Sequence, residues 1–414
     1  MNLSLSDEQE FLREAARGTL SRFKTLEAAR EALDTPRGGT PHDGAHPEGH
    51  RQAGGDSKAL PDMWPAACEA GWPGLLIDEA HGGAGLDAFD AMLVLNECGR
   101  VLAPVALLGH LPATAILNAG PAGGGLLEAL ASGKRRAAYL PTMPPSDLLD
   151  GWTVDPAHGS TRPAVLRARD DGKGGVLVSG KLAFVPDAPG ADLLVGVALL
   201  DTPQGGTPHD GAQAGGKPVG VAIEASAGGV SIEGVFRYDA TRSLGHVTLE
   251  DAPATVLDAP EEALAGAWHL AQALIAAESL GSVETALEVS VAYAKERFTF
   301  GRAIGSYQAV KHSLTEVLRQ LENGRSLLYY AGWSRNGAPA EFPLAASAAR
   351  SVAGRALDHG ARTMISVHGG IGATWEHDAP LYFRRAQLSR RLLGGTAAAT
   401  DRVAGELIAQ ADAA

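Results

Sequence analysis

The sequence predicts an α+β protein: a helical N-terminal domain, an antiparallel β middle domain and a C-terminal helical bundle, in that order along 414 residues. Three observations predict it. Helical periodicity dominates residues 1–133, short β-branched runs fill about 134–255, and helical periodicity returns over 256–414. The strands are gathered into one stretch instead of alternating with helices, which argues against a βαβ fold. Apolar residues make up 45% of the chain, enough for a real core, so wholesale disorder is excluded.

The elements follow from local signals. Ser6-Asp7-Glu8-Gln9 is a capping-box pattern, with Phe11, Leu12, Ala15, Ala16, Leu20 and Phe23 behind it at helical spacing. Further helices are expected over Leu60–Ala70, Ala88–Leu102 and Ala113–Ala131. Strands are expected at Gly175–Gly180, Leu193–Leu200, Val219–Ile223 and His246–Leu249, forming a mostly antiparallel sheet or barrel. Ala263–Lys295 is apolar on most faces, as for a helix buried in a bundle. Gln308–Trp333, Leu344–His368 and Leu381–Ala409 continue the bundle, the last interrupted at Gly394-Gly395. Two insertions, at about 34–58 and 201–217, share Thr-Pro-His-Asp-Gly-Ala. They are too rich in Gly and Pro to bury a core, and read as disordered loops rather than as metal sites built on His42 and His209.

Composition removes several function classes. The 35 Lys and Arg against 48 Asp and Glu leave a net charge of −13, which argues against a nucleic-acid binder. The two cysteines, Cys68 and Cys98, make neither a disulfide framework nor a four-thiolate metal site, so no metal and a reducing, cytoplasmic compartment are expected. The N-terminus lacks a signal-peptide pattern, and the longest apolar run, Leu193–Leu200, is far too short for an integral membrane segment. There is no Gly-x-Gly-x-x-Gly after a strand, no Walker-A loop and no His-Glu-x-x-His.

Three stretches carry more. Glu69-Ala70-Gly71-Trp72-Pro73-Gly74-Leu75 precedes Glu79-Ala80-His81-Gly82-Gly83-Ala84-Gly85. Residues 293–312 begin Tyr293-Ala294-Lys295-Glu296-Arg297-Phe298-Thr299-Phe300-Gly301-Arg302 and run on through Gln308. The third stretch contains Val367-His368-Gly369-Gly370-Ile371-Gly372 and ends at Asp378. In this order and spacing they resemble the signatures of the acyl-CoA dehydrogenase family, and the likeness covers nearly the whole chain outside the two insertions. It implies a C-terminal four-helix bundle, FAD between the β domain and the bundle, and α,β-desaturation of an acyl-CoA thioester. A carboxylate would take the α-proton while hydride passes to the flavin, with electron-transferring flavoprotein as acceptor.

Carried over singly, Arg297 matches the arginine that meets the FAD pyrophosphate across a subunit interface. Phe300 and Gln308 match flanking FAD contacts, Gly369, Gly370 and Gly372 the turn near the adenine, and Phe184 an aromatic beside the flavin. The base is where the chain departs. The family's usual glutamate falls at Gly394, and the position used by a second branch falls at Ala271. Glu278, two turns beyond Ala271 on the same helix face, is the candidate catalytic residue that remains. Pro186 also stands where a flavin-contacting Thr is usual. The resemblance therefore leaves alternatives open. One is a homotetramer with its own base. Another is an α2β2 heterotetramer in which this chain completes the FAD site of a related catalytic chain. A redox-inactive homologue that binds acyl-CoA is the third.

Overall fold

The computed structural model describes residues 4–34, 60–121, 124–142, 144–145, 165–172, 175–201, 216–235 and 239–412. The two Thr-Pro-His-Asp-Gly-Ala segments lie outside them. Helix α1, Asp7–Leu20, starts with the expected capping box: Gln9 N–H donates to the Ser6 hydroxyl at 3.2 Å, and Ser6 N–H to the Gln9 side chain at 3.1 Å. Its buried stripe is Ala16 and Leu20, whereas Phe11 is 73% exposed. At 3.6 residues per turn, position 11 lies on the far side of the helix from position 16. Helices α2 (Thr25–Asp34), α3 (Trp64–Glu69) and α4 (Ala88–Arg100) follow. The single helix expected over 113–131 is two, α5 (Leu107–Asn118) and α6 (Gly124–Ala131), because Gly120-Pro121 breaks the helical backbone between them.

The strands are β1 (Ala137–Tyr139), β2 (Arg167–Asp170), β3 (Val176–Pro186), β4 (Leu193–Asp201), β5 (Gly216–Glu224), β6 (Val230–Gly234) and β7 (Leu244–Leu257). Pairing runs β4-β2-β3-β7-β5 and back to β4, so the strands close a barrel, with β1 extending β4 and β6 extending β7. Two pairings, β1–β4 and β2–β4, are parallel and the rest antiparallel. Val178, Leu194, Val221 and Val247 fill the barrel. A register shift in β3 between Leu182 and Val185 is a bulge that carries Phe184.

Helix α7 (Glu261–Glu296) is buried along most of its 36 residues, as its all-round apolar pattern requires. A two-strand hairpin, β8 (Phe298–Thr299) and β9 (Arg302–Ala303), leads to α8 (Gln308–Gly337), α9 (Phe342–His368), α10 (Ala379–Ser389) and α11 (Gly395–Asp412). The interruption at Gly394-Gly395 is present, both residues having positive φ. Helices α4 and α7 touch backbone to backbone. A Cβ at Gly99 would collide with the Glu278 carbonyl, and one at Gly281 with that of Asn96. This contact fixes the middle of α7, including Glu278, against the N-terminal domain.

Candidate active site and cofactor contacts

The expected site residues fall in three places. The first is the exposed end of α7. Arg297 caps the helix, its N–H donating to the Tyr293 carbonyl at 2.8 Å, and its side chain is exposed with no ion-pair partner among the described residues. Phe300 and Gly301 both have positive φ and form the two-residue turn of the β8–β9 hairpin, which leaves Phe300 94% exposed. Arg302 lies over the Tyr307 ring at 3.9 Å, and Gln308 is exposed at the first turn of α8. The Gly369–Gly372 turn belongs to the same end. His368, just before it, stacks on Tyr293 at 4.4 Å and meets the His377 ring at a tilt at 4.1 Å. Gly369 has φ of 63° and nothing within 4 Å of where a side chain would start, so the backbone there is open to close approach by another molecule.

The second place is the barrel rim. Phe184 has φ of 56°, strained for an aromatic residue, and meets the His246 ring edge-on at 4.8 Å. Three residues on, Asp187 also has positive φ and is buried, its Oδ2 accepting from Gly109 N–H at 2.8 Å. Burial pushes its carboxyl up to about 6, against the pull of that hydrogen bond and of Arg242.

The third place is the middle of α7, where the expected Glu278 lies. Both carboxylate oxygens of Glu278 are engaged: Oε1 accepts from Arg385 Nη1 at 2.6 Å, and Oε2 from Arg242 Nη2. Arg385 is 1% exposed and also bonds Asp239 Oδ2 at 2.7 Å and Thr241 Oγ1 at 2.6 Å. Burial alone would raise the Glu278 carboxyl, but the two guanidiniums outweigh it and hold the carboxyl below its usual range. A carboxylate paired on both oxygens and pulled down in proton affinity is poorly set up to take a proton.

The two usual base positions converge elsewhere on α7. Ala271 is fully buried, and one turn before it the Trp268 indole, 4% exposed, packs where a side chain at 394 would project. A Cβ on Gly394 would stand 3.2 Å from the indole. The Leu393 carbonyl accepts from Gln272 Nε2 at 2.7 Å, which pins the 393–395 turn to α7. A side chain at 394 would therefore start close against an aromatic ring. No sequence signal pointed to Trp268, Arg242, Arg385 or Asp187, because each acts through a neighbour distant in the chain.

Among the described residues no cluster of His, Cys, Asp and Glu can hold a metal, and no helix is long and apolar enough to cross a membrane.

Two family models match the chain: the acyl-CoA dehydrogenase N-terminal domain over residues 46–143, and the acyl-CoA dehydrogenase C-terminal domain over 264–408. The acyl-CoA dehydrogenase IpdE2 of Mycolicibacterium smegmatis is 28% identical, with 94% of this chain and 96% of that protein aligned. The acyl-CoA dehydrogenase FadE34 of Mycobacterium tuberculosis is 30% identical over 96% of this chain, which spans about half (47%) of that protein's length. Among solved structures, a variant of the Tcur3481–Tcur3483 steroid ACAD superposes with a TM-score of 0.79 at 26% identity, covering 99% of this chain and 100% of that one. The ChsE4–ChsE5 complex from Mycobacterium tuberculosis shares the fold, with a TM-score of 0.78 at 22% identity and 99% of each chain covered.

Proposed function

The chain belongs to the acyl-CoA dehydrogenase family, and from that premise we propose that it is the FAD-completing subunit of an oxidoreductase acting on the CH–CH bond of an acyl-CoA, paired with a related chain that carries the base. One observation carries the proposal. The Arg297 end of α7 is exposed and has no ion-pair partner among the described residues, while neither usual base position, Ala271 on α7 or Gly394 before α11, carries a carboxylate.

The residues fit FAD at that end. Arg297 offers a planar cation suited to a pyrophosphate, Phe300 and Gln308 offer an apolar face and an amide, and the Gly369-Gly370 backbone is uncovered, whereas Gly372 is buried against Ile365. Gly372 apart, these groups point outward, so they serve a flavin held largely by a neighbouring subunit. FAD held there would supply the redox chemistry, as acceptor of the β-hydride and donor to an electron-transferring flavoprotein. The α-proton is taken by the related chain, where exclusion of water keeps a carboxylate reactive. The two-chain name of the Tcur3481–Tcur3483 enzyme supports an α2β2 assembly, and its steroid substrate class supports a bulky acyl group. A cytoplasmic location fits this chemistry.

The test is the visible absorbance spectrum, with flavin counted per chain. The chain purified alone should be colourless and should gain about one FAD per pair of chains when a related chain is co-expressed. Stoichiometric FAD on the chain alone, bleached anaerobically by an acyl-CoA, would overturn the assignment.

A further inference from the structure

A groove lies between the start of α1, the start of α4 and the last turns of α8, and the assignment above makes no use of it. Its volume is about 520 Å³. Phe89, Tyr329 and Trp333 supply its aromatic lining, and Asp87 is the one charged side chain among the described residues that line it. Trp333 stands about 37 Å along α8 from Gln308 at the helical rise, so the groove is separate from the flavin-facing end.

The rings are held in place by α8 itself. A Cβ on Gly332 would stand 2.4 Å from the Phe89 ring, and one on Gly337 2.7 Å from the Trp333 indole, so both rings lie against bare helix backbone. Phe89 meets Tyr329 edge-on at 4.9 Å, and Tyr330 stacks on Trp333 at 6.1 Å. Trp333 is nonetheless 41% exposed. Aromatic surface that is fixed in place and left open at a concave site is suited to an occupant.

Charge decides which kind. The starts of α1 and α4 carry caps of their own: Ser6 Oγ accepts from Gln9 N–H, and Asp87 Oδ1 from Phe89 N–H at 2.7 Å and Asp90 N–H at 3.1 Å. An anion there would also meet the Asp87 carboxylate, whose second oxygen the cap does not use. Asp90, buried in the same cap, has its carboxyl raised by burial, and the Asp87 charge adds to the rise. The third element, α8, presents its C-terminal turns, the negative end of its dipole. Arg13 and Arg325 act on the Tyr329 hydroxyl but stand outside the lining. The groove therefore favours a cation, and its aromatic faces favour one that holds little water. A primary ammonium gives up three hydrogen bonds to water on entry, whereas a fully methylated one gives up none.

We propose that this groove binds a small methylated ammonium cation, its methyl groups on Phe89, Tyr329 and Trp333 and its charge beside Asp87. A free molecule and a lipid headgroup present this chemistry alike. The proposal stands whichever chain holds the base.

The test is a ligand-observed NMR titration of the full-length protein, in the assembly in which it purifies, with choline, its uncharged isostere 3,3-dimethylbutan-1-ol, and ethanolamine. Choline should bind saturably and about tenfold tighter than either. Asp87→Asn keeps a good helix cap and removes the charge, and should weaken choline about fivefold while leaving the isostere unchanged. Trp333→Leu keeps an apolar helix former at an exposed position, and should cut the preference for choline over its isostere to about twofold. No saturable binding of choline by the unmodified protein overturns the proposal. So does binding of the isostere or of ethanolamine as tight as that of choline, and so does choline binding undiminished in either variant. Sedimentation with phosphatidylcholine vesicles separates the sources. Protein that binds choline and stays in the supernatant identifies a free cation. Protein that pellets, and no longer does so after Trp333→Leu, identifies the headgroup.

Discussion

The middle and the C-terminal end of one helix teach opposite lessons. At Glu278 the middle of α7 buries a charge and satisfies it completely, with Arg242 and Arg385 on its two oxygens and Asp239 balancing Arg385. At Arg297 the same helix ends on an exposed guanidinium that none of the described residues pairs. Glu278 is the more conspicuous residue to a search for catalysis, yet its environment removes it from catalysis. A buried charge survives only by being fully paired, and full pairing is incompatible with moving a proton. Arg297 and Phe300 are left unsatisfied by their own chain, which is the state expected of groups that serve a second molecule.

The comparison can be broken at its paired end first. Arg385→Met strands the Glu278 and Asp239 carboxylates in the interior and should lower unfolding free energy by about 3–5 kcal/mol in urea denaturation. A loss under about 1 kcal/mol would show that the cluster is not buried in solution. On the kinetic side, Glu278→Gln in the co-expressed assembly should leave turnover per bound flavin within about twofold, whereas loss of a general base costs roughly 10²–10⁴-fold.

Asp187 gives the pH test, with the sign opposite to a salt-bridged acid. Its folded value, about 6, lies above the roughly 3.9 of an unfolded aspartate, so its contribution is fully present below pH ~4 and is lost as pH rises through about 6. Two units correspond to about 3 kcal/mol. Asp187→Asn should therefore be more stable than the parent at pH 8, with the gap closing below pH ~4. Asparagine tolerates the positive φ at this position. A gap that does not change with pH would sink the assignment. Glu278, held low by its arginines, works the other way: its stabilisation is present above the unfolded glutamate value and is lost as pH falls through its lowered folded value.

At the open end the effects are smaller and selective. Arg297→Ala should weaken flavin retention in the two-chain assembly by about 10–100-fold, the worth of a charge-assisted hydrogen bond, while the chain's own unfolding shifts by no more than ~0.5 kcal/mol. Phe300→Ser should be the mildest, leaving stability within ~0.5 kcal/mol and shifting only assembly or flavin content. A large stability loss in either variant would mean that this end is packed within its own chain.

Much of the fold was legible because its signals are local. The capping box at Ser6, the all-round apolar pattern of α7 and the Gly394-Gly395 break each depend on residues within a turn or two. The split at Gly120-Pro121 was equally local but was obscured by the apolar runs on either side. The cofactor-facing residues were readable only through resemblance, since an arginine at a helix end has a bland explanation in the helix dipole. Glu278 was read from its spacing along α7, and spacing says which face a residue shares, not what stands opposite it.

What the sequence determined by itself was the order of helices, strands and helices, the family, and the absence of a carboxylate at 394 and 271. Periodicity, turn chemistry and side-chain identity are all properties of the chain as written. Tertiary structure alone decided that the strands close a barrel, that Trp268 stands against position 394, and that Arg242 and Arg385 pair with Glu278. Each of these depends on groups far apart in sequence brought within a few ångströms, where burial and neighbouring charge set what an ionisable side chain can do.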